Sequence, residues 1–323
     1  MIITIIALGF IVFLHEAGHF LAAKAVGVSV DEFSVGFGKI LLRKKVNGTD
    51  YSLKVFLLGG YVKLEDAFRD RRSRTRIFVG LAGPTANLLF AFITFSVVSF
   101  VGLPELTTKI GTVFAGHAAA KAGILPGDRV IAVDGRPVSR WMEMTSAIND
   151  GKKRNLRVTV RRGQDNLDVV VRPELQEGRG VVGIKASGES VAVRYGMDSA
   201  IEGWRLVMQN LKSSVDLFLQ LAAFKSTDVA GPVRILALGA EQVKFGLVSM
   251  FNFVSILSVS FFIFNMIPIP VLDGGLIFIA LLEAVIGRQI NRKLEQTITK
   301  VGLAIIVGLM MFIFLSDLAK LII

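Results

Sequence analysis

The stretch FLHEAGHFLAA, residues 13–23, lies inside the apolar opening run MIITIIALGFIVFLHEAGHFLAAKAVGV. It sets His15, Glu16 and His19 into a segment otherwise apolar enough to cross a bilayer. An ionisable side chain near a bilayer centre is costly to insert, so it needs a partner or a use. The surrounding chain has to supply one.

Working outward, the 323 residues are 52% hydrophobic and carry a net charge of +11, with a mean hydropathy of +0.60. That is too apolar for an ordinary soluble protein and too charged for a chain that is membrane throughout. A spanning helix needs about 20 mostly apolar residues. Four segments qualify: 1–26, 77–103, 247–267 and 300–323. The first is expected to be a retained span, since it has neither a basic leading region nor a small-residue cleavage site. The densest basic run, RDRRSRTR at 69–76, directly precedes the second span. Positive charge beside a span marks the cytoplasmic side, so the excess charge points to the lipid bilayer and no nucleic-acid partner. Alternation then places 104–246 outside, the link around Arg288, Arg292 and Lys293 inside, and both termini outside.

Residues 106–175 read as a small soluble domain. KIGTVFAG and DRVIAVDGRPV alternate like strands, with Asp134-Gly135 as a hairpin turn. RWMEMTSAINDG has helical spacing, and NLRVTVRR and NLDVVVRP flank the turn residues GQDN. The stretch AAAKAGILPGDRVIAVDG resembles the PDZ family, a small partly open barrel with helices. Residues 176–246 read as a linker followed by amphipathic helices. There Met197, Ile201, Trp204, Met208, Leu211, Val215, Phe218 and Ala222 recur at helical steps, which suits a helix lying in the membrane interface.

In a helix, residues four apart share a face. His15 and His19 can therefore point at one cation, and Glu16, one step on, can reach a water beside it. This is the HExxH arrangement of zinc proteases, histidines as ligands and glutamate as general base. Two of the chain's three histidines are used here, and with no cysteine present any metal must take N and O donors. A catalytic zinc takes three protein ligands. The third is expected from FNMIPIPVLDGG, residues 264–275, where Pro268 and Pro270 cannot continue a helix and leave Asp273 at membrane depth. His117 receives no role.

HEAGH in the first span, GLAGPTANL in the second, a PDZ-like domain after it and NMIPIPVLDG in the third together resemble the site-2 protease family of intramembrane zinc proteases, most of all its bacterial regulator-of-sigma-E type. The resemblance covers nearly the whole chain. It implies a polytopic α-helical membrane protein with four transmembrane helices, a membrane-associated β-hairpin and one extracytoplasmic PDZ domain. Transmembrane units at 1–103 and 247–323 would flank that domain and its linker. Zn2+ would be held by His15, His19 and Asp273, with Glu16 as base. The substrates implied are single-span membrane proteins already trimmed by another protease, in a bacterial inner membrane, with the active site toward the cytoplasm. Sigma-E-type members carry two tandem PDZ domains, whereas this chain has one.

Three further features bear on substrate binding. Asn265 resembles a family asparagine near the zinc, and either it or Asn87 in GLAGPTANL could hold a peptide carbonyl or join helices. Gly80, Gly83 and Ala86 read as small residues allowing close helix approach. The loop at 33–64 reads as a hairpin turning at Asn47-Gly48, and VFLLGGYV within it is too apolar for a solvated loop. The resemblance implies a re-entrant sheet whose edge pairs with an unwound substrate, with Gly59 and Gly60 permitting close approach. Two other functions share some of these features: a non-catalytic PDZ membrane adaptor, which would not need Glu16, and a metal transporter, which would spread its ligands along a path.

Overall fold

The computed structural model describes residues 2–152, 154–176, 178–222 and 231–322. The elements run α1 (Ile2–Ala25), β1 (Val30–Val46), β2 (Thr49–Leu64), α2 (Ser73–Val101), β3 (Leu103–Leu106), β4 (Ile110–Val113), α3 (Ala118–Lys121), β5 (Arg129–Val133), β6 (Arg136–Pro137) and α4 (Trp141–Asp150). They continue with β7 (Leu156–Arg162), β8 (Asp165–Val171), β9 (Glu174–Gln176), β10 (Arg179–Val181), β11 (Ile184–Ala186), β12 (Ser190–Val193), α5 (Ser199–Ala222), α6 (Pro232–Lys244), α7 (Leu247–Asn265), α8 (Asp273–Ile286) and α9 (Arg292–Ile322). Two units result, Gly102–Arg194 and the remainder on either side of it.

Among the described residues, four helices are long and apolar enough to cross a membrane: Ile2–Ala25, Ser73–Val101, Leu247–Asn265 and Arg292–Leu315. The third span is interrupted. α7 stops at Asn265, the Pro268–Pro270 segment runs without helix, and α8 resumes at Asp273. Proline lacks the N–H and the room to continue a helix. Small residues then let the broken chain fold tightly: a Cβ on Gly274 or Gly275 would come within 2.4 Å of the carbonyl oxygens of Ile267 or Ile269. The helix that carries the fourth span begins at Arg292, ahead of the apolar run from 300, and its first turn is anchored by polar contacts. Arg69 Nε donates to Glu295 at 2.5 Å and Arg69 Nη2 to the Ile290 carbonyl at 2.6 Å. Arg76 on α2 pairs with Glu283 on α8, both side chains almost wholly buried. These contacts gather the start of α2, the end of α8 and the start of α9 at one end of the bundle.

α1 and α2 cross closely because small residues sit where they meet. A Cβ on Gly18 would be 2.5 Å from the Ala82 carbonyl oxygen. Apolar area alone gives no drive for helices to associate in lipid, so such close packing matters. Large side chains such as Ile6, Leu89, Ile93, Val97, Phe100 and Phe312 remain exposed on the outer faces, which suits contact with lipid tails.

β1 and β2 form the antiparallel hairpin expected from Asn47-Gly48, with φ of 47° and 83° at those two residues. Lys54 Nζ donates to Tyr61 Oη at 2.8 Å and to Glu32 Oε1 at 3.2 Å, cross-linking the strands through a polar cluster. α5 forms over the stretch whose helical spacing was read from the sequence. Its packing face is Leu206, Val207 and Leu211, which meet Ala91, Phe95 and Val259 of α2 and α7, and Gly203, which lies against Ser96 of α2. Ile201, Trp204, Met208, Val215 and Phe218, the larger part of the apolar stripe read from the sequence, point outward. Ala222 lies in the helix, but its side chain is outside the described residues.

The Gly102–Arg194 unit has its own core of Ile110, Val130, Met144, Ile148, Leu156 and Val160. Its largest sheet has the order β6-β5-β7-β8, turning at Asp134-Gly135 and Gly163 with positive φ. β11 and β12 lie beyond the stretch 106–175, yet they pair back antiparallel with β4 and β3 and close the unit.

Candidate metal centre

α1 places His15 and His19 one turn apart, and α8 brings in Asp273 as its first residue. His15 Nε2 and His19 Nε2 are 3.2 Å apart. Asp273 Oδ2 is 3.0 Å from His15 Nε2, and Oδ1 is 3.2 Å from His19 Nε2. These three residues are the one group of potential metal ligands found among the described residues. All three side chains are largely buried.

The donor chemistry fits a cation. His19 Nδ1 is 2.8 Å from the Val79 carbonyl oxygen, an acceptor that requires the ring proton on Nδ1, so that the neutral ring a metal ligand must be has a bare lone pair on Nε2. That lone pair faces a carboxylate. Asp273 sets its two carboxylate oxygens against the two histidine nitrogens, Oδ2 against His15 and Oδ1 against His19. Lone pairs converging in a dry site repel unless a positive charge lies between them. For tetrahedral zinc, bonds of about 2.0–2.1 Å put neighbouring ligand atoms roughly 3.3 Å apart. The 3.0–3.2 Å separations are close to that edge length.

The neighbours of the site are set by helix crossing. Gly83 lies under His19, where a Cβ would be 2.2 Å from Nε2. Gly60 of β2 lies against α1, where a Cβ would be 3.0 Å from Glu16 Cγ and 2.8 Å from the Ser34 carbonyl oxygen. The hairpin therefore reaches Glu16, the residue between the two histidines. Gly59 makes room elsewhere, since a Cβ there would overlap the Phe37 ring at 1.9 Å. Both glycines admit neighbouring groups of this chain, so their absent side chains are explained without a substrate.

The two asparagines part company. Asn265 is half-buried at the end of α7 and donates Nδ2–H to the Phe261 carbonyl at 3.0 Å, within its own helix. Asn87 is 0% exposed. Its Nδ2 lies 3.3 Å from His15 Nδ1, so it faces a histidine rather than a space that a peptide could enter. His117 is in the other unit and contacts Glu174 at 2.9 Å. The contacts of Val79, Gly83 and Asn87 with the histidines were not read from the sequence. A faint signal exists, since 79, 83 and 87 repeat every four residues on α2, the same step as His15 to His19.

Fold and site together define a polytopic membrane protein with an HExxH helix and a carboxylate from a broken helix converging on one point. The sequence profile of peptidase family M50 matches residues 3–309, and the chain belongs to that family, the site-2 proteases. Among its relatives, the Arabidopsis thaliana chloroplastic membrane metalloprotease ARASP is 33% identical, covering 95% of this chain and 76% of the relative. A Clostridium perfringens protein provisionally named a zinc metalloprotease is 31% identical, covering 98% of each chain. A Campylobacter jejuni protein named in the same way is 26% identical, covering 99% of this chain and 93% of that one. A solved PDZ domain from a Listeria monocytogenes SdrC-like protein aligns at 16% identity over 25% of this chain and 86% of its own, with a TM-score of 0.23, too low to bear on the fold.

Proposed function

We propose that this M50 peptidase hydrolyses a peptide bond within or near the membrane span of single-span proteins, with His15, His19 and Asp273 as zinc ligands and Glu16 as general base. The chain is a zinc metalloprotease. The observation that carries the finer reading is the convergence of His15 and His19 with Asp273, inside a bundle of membrane-spanning helices. Zinc, when bound, supplies Lewis acidity that polarises a carbonyl and eases deprotonation of water. The remaining chemistry belongs to the chain. Glu16 accepts a proton from the attacking water on its carboxylate and returns it to the leaving amine nitrogen.

A helical substrate hides its peptide bonds in its own hydrogen bonds, and unwinding it in lipid strands backbone groups at several kcal/mol each. The edge of the β1–β2 hairpin can supply replacement partners by strand addition. Basic residues at 69–76 support a cytoplasmic placement for the bundle end that holds Arg69 and Arg76. The Gly102–Arg194 unit would then lie on the opposite, extracytoplasmic side of a bacterial inner membrane. There, as a PDZ-type filter, it would hold back substrates not yet trimmed. The exposed stripe of α5 suits the membrane interface.

The test is a comparison of Glu16→Gln with Asp273→Ala in purified protein. Glu16→Gln keeps about one zinc per chain and loses cleavage, because an amide cannot take the proton. Asp273→Ala loses zinc as well, and Asp273→His regains part of it, since imidazole suits the metal. Turnover by Glu16→Gln near the wild-type rate, or full zinc in Asp273→Ala, would refute the assignment.

A further inference from the structure

Each ligating histidine needs its second ring nitrogen fixed, because that bond sets both the tautomer and the plane of the ring. His19 has its partner in the Val79 carbonyl. For His15 the group facing Nδ1 is the Asn87 amide, eight residues further along α2. Val79 and Asn87 thus flank the histidine pair from one face of one helix.

Asn87 is buried completely, and its Oδ1 has no hydrogen-bond partner. A buried amide oxygen left unpaired is destabilising. Its nitrogen lies beside His15 Nδ1, so in this orientation the amide donates to that atom. A neutral imidazole then carries its proton on Nε2, the atom turned toward Asp273 and His19. A proton on Nε2 blocks the lone pair that a cation would take. A half-turn of the amide exchanges its nitrogen and oxygen within the same volume. Oδ1 then accepts the Nδ1–H of His15, Nε2 is free, and the amide NH2 takes the place the oxygen held. The same residue does not need its side chain to join helices, since Ser258 Oγ reaches its backbone carbonyl at 2.8 Å.

We propose that Asn87 is a positioning residue for the metal centre: its Oδ1 accepts the Nδ1–H of His15 and holds that ring with Nε2 turned to the ion. This rests on His15 being a ligand. It replaces substrate contact as the function of Asn87. The side chain acts only through His15.

The test uses full-length protein in detergent, with zinc affinity measured against a competing chelator. Asn87→Leu keeps the volume and removes the acceptor, and it should weaken zinc binding about 10–100-fold. Asn87→Asp keeps an acceptor and should bind zinc at least as tightly as wild type. Ser258→Ala, which removes only the backbone contact, should leave affinity unchanged. A space-filling role predicts the reverse order, with Leu tolerated and a buried charge damaging. A second readout needs no variant at Asn87. The chain has three histidines, so 15N-histidine labelling gives three ring systems, and His117→Gln reduces them to the two at the site. With zinc bound, the His15 proton should reside on Nδ1 and exchange slowly. Asn87→Leu with wild-type zinc affinity, or a His15 proton on Nε2 in the zinc-loaded protein, would overturn the proposal. Wild-type protein that takes up zinc without using His15 would overturn the ligand assignment itself, a separate result.

Discussion

Gly83→Ala adds one methyl group and should disarm the metal centre while leaving the protein folded. The new Cβ would stand 2.2 Å from His19 Nε2 and 2.7 Å from both Cδ2 and Cε1. Ordinary contact begins at 3.4 Å, so the ring must retreat by about 1.2 Å or the helices must part by as much. Alanine gains about 1 kcal/mol over glycine inside a helix, while overpacking costs about 1–3 kcal/mol, so the net change in stability is small. Metal binding has no such slack, because ligand distances must hold to about 0.2 Å. A displacement several times larger should lower zinc affinity at least about 100-fold, or ~2.7 kcal/mol. The assay is chelator competition on purified protein, with unfolding followed in parallel. Gly80→Ala is the control: its Cβ would meet Ile277 Cγ1 at 3.0 Å and Leu276 Cδ2 at 3.3 Å, side-chain atoms short of the ordinary 3.4 Å by far less than the His19 ring is. It should bind zinc like wild type. A folded Gly83→Ala protein with wild-type zinc affinity would refute the claim that α2 pins His19 against the ion.

Two other perturbations probe the scaffold. Glu283→Gln should destabilise the bundle by about 3–5 kcal/mol by leaving Arg76 buried and unpaired, and Arg76→Met with Glu283→Leu should recover most of that loss, as read by unfolding in mixed detergent; an unchanged single variant would show the pair to be idle. In the Gly102–Arg194 unit, hydrogen bonds from the Ser139 backbone first, and from Arg140, hold the Glu143 carboxyl down at about 2 against an ordinary 4.5. That contribution is present above pH 4.5 and is lost as pH falls toward 2. Its size is on the order of 1 kcal/mol after allowing for solvent. Urea unfolding of the isolated unit at pH 5 and pH 3 should show the loss in wild type and a smaller one in Glu143→Gln; equal losses would refute it.

What could be read ahead of the structure was whatever local chain chemistry fixes. The i, i+4 spacing of His15 and His19 follows from one helix, and the hairpin turns at Asn47-Gly48 and Asp134-Gly135 follow from residues that tolerate positive φ. Asp273 was reachable because two prolines announce a break beside it. The failures share a cause. Inside a membrane, large apolar residues serve equally for lipid and for protein contact, so hydrophobic period does not say which face packs. On α5 the stripe read as facing the interface is exposed, and what the period did not show is that the helix seats on the bundle through Gly203 and Val207. Contacts between distant segments were likewise invisible: Asn87 reaches His15 across 72 residues, and Arg76 reaches Glu283 across 207. β11 and β12 are too short to announce themselves, and pairing with β4 and β3 makes them strands.

The central claim is that a peptide bond is cut at membrane depth by a zinc centre built from α1 and α8. Purified, zinc-loaded protein reconstituted in liposomes with a single-span substrate, its products mapped by mass spectrometry, tests that claim directly. The account predicts a cut within or at the edge of the apolar span, lost in zinc-loaded Glu16→Gln and in chelator-treated wild type, and restored to the latter by zinc. Cleavage confined to the soluble flanks of the substrate, or cleavage that survives Glu16→Gln, would contradict it.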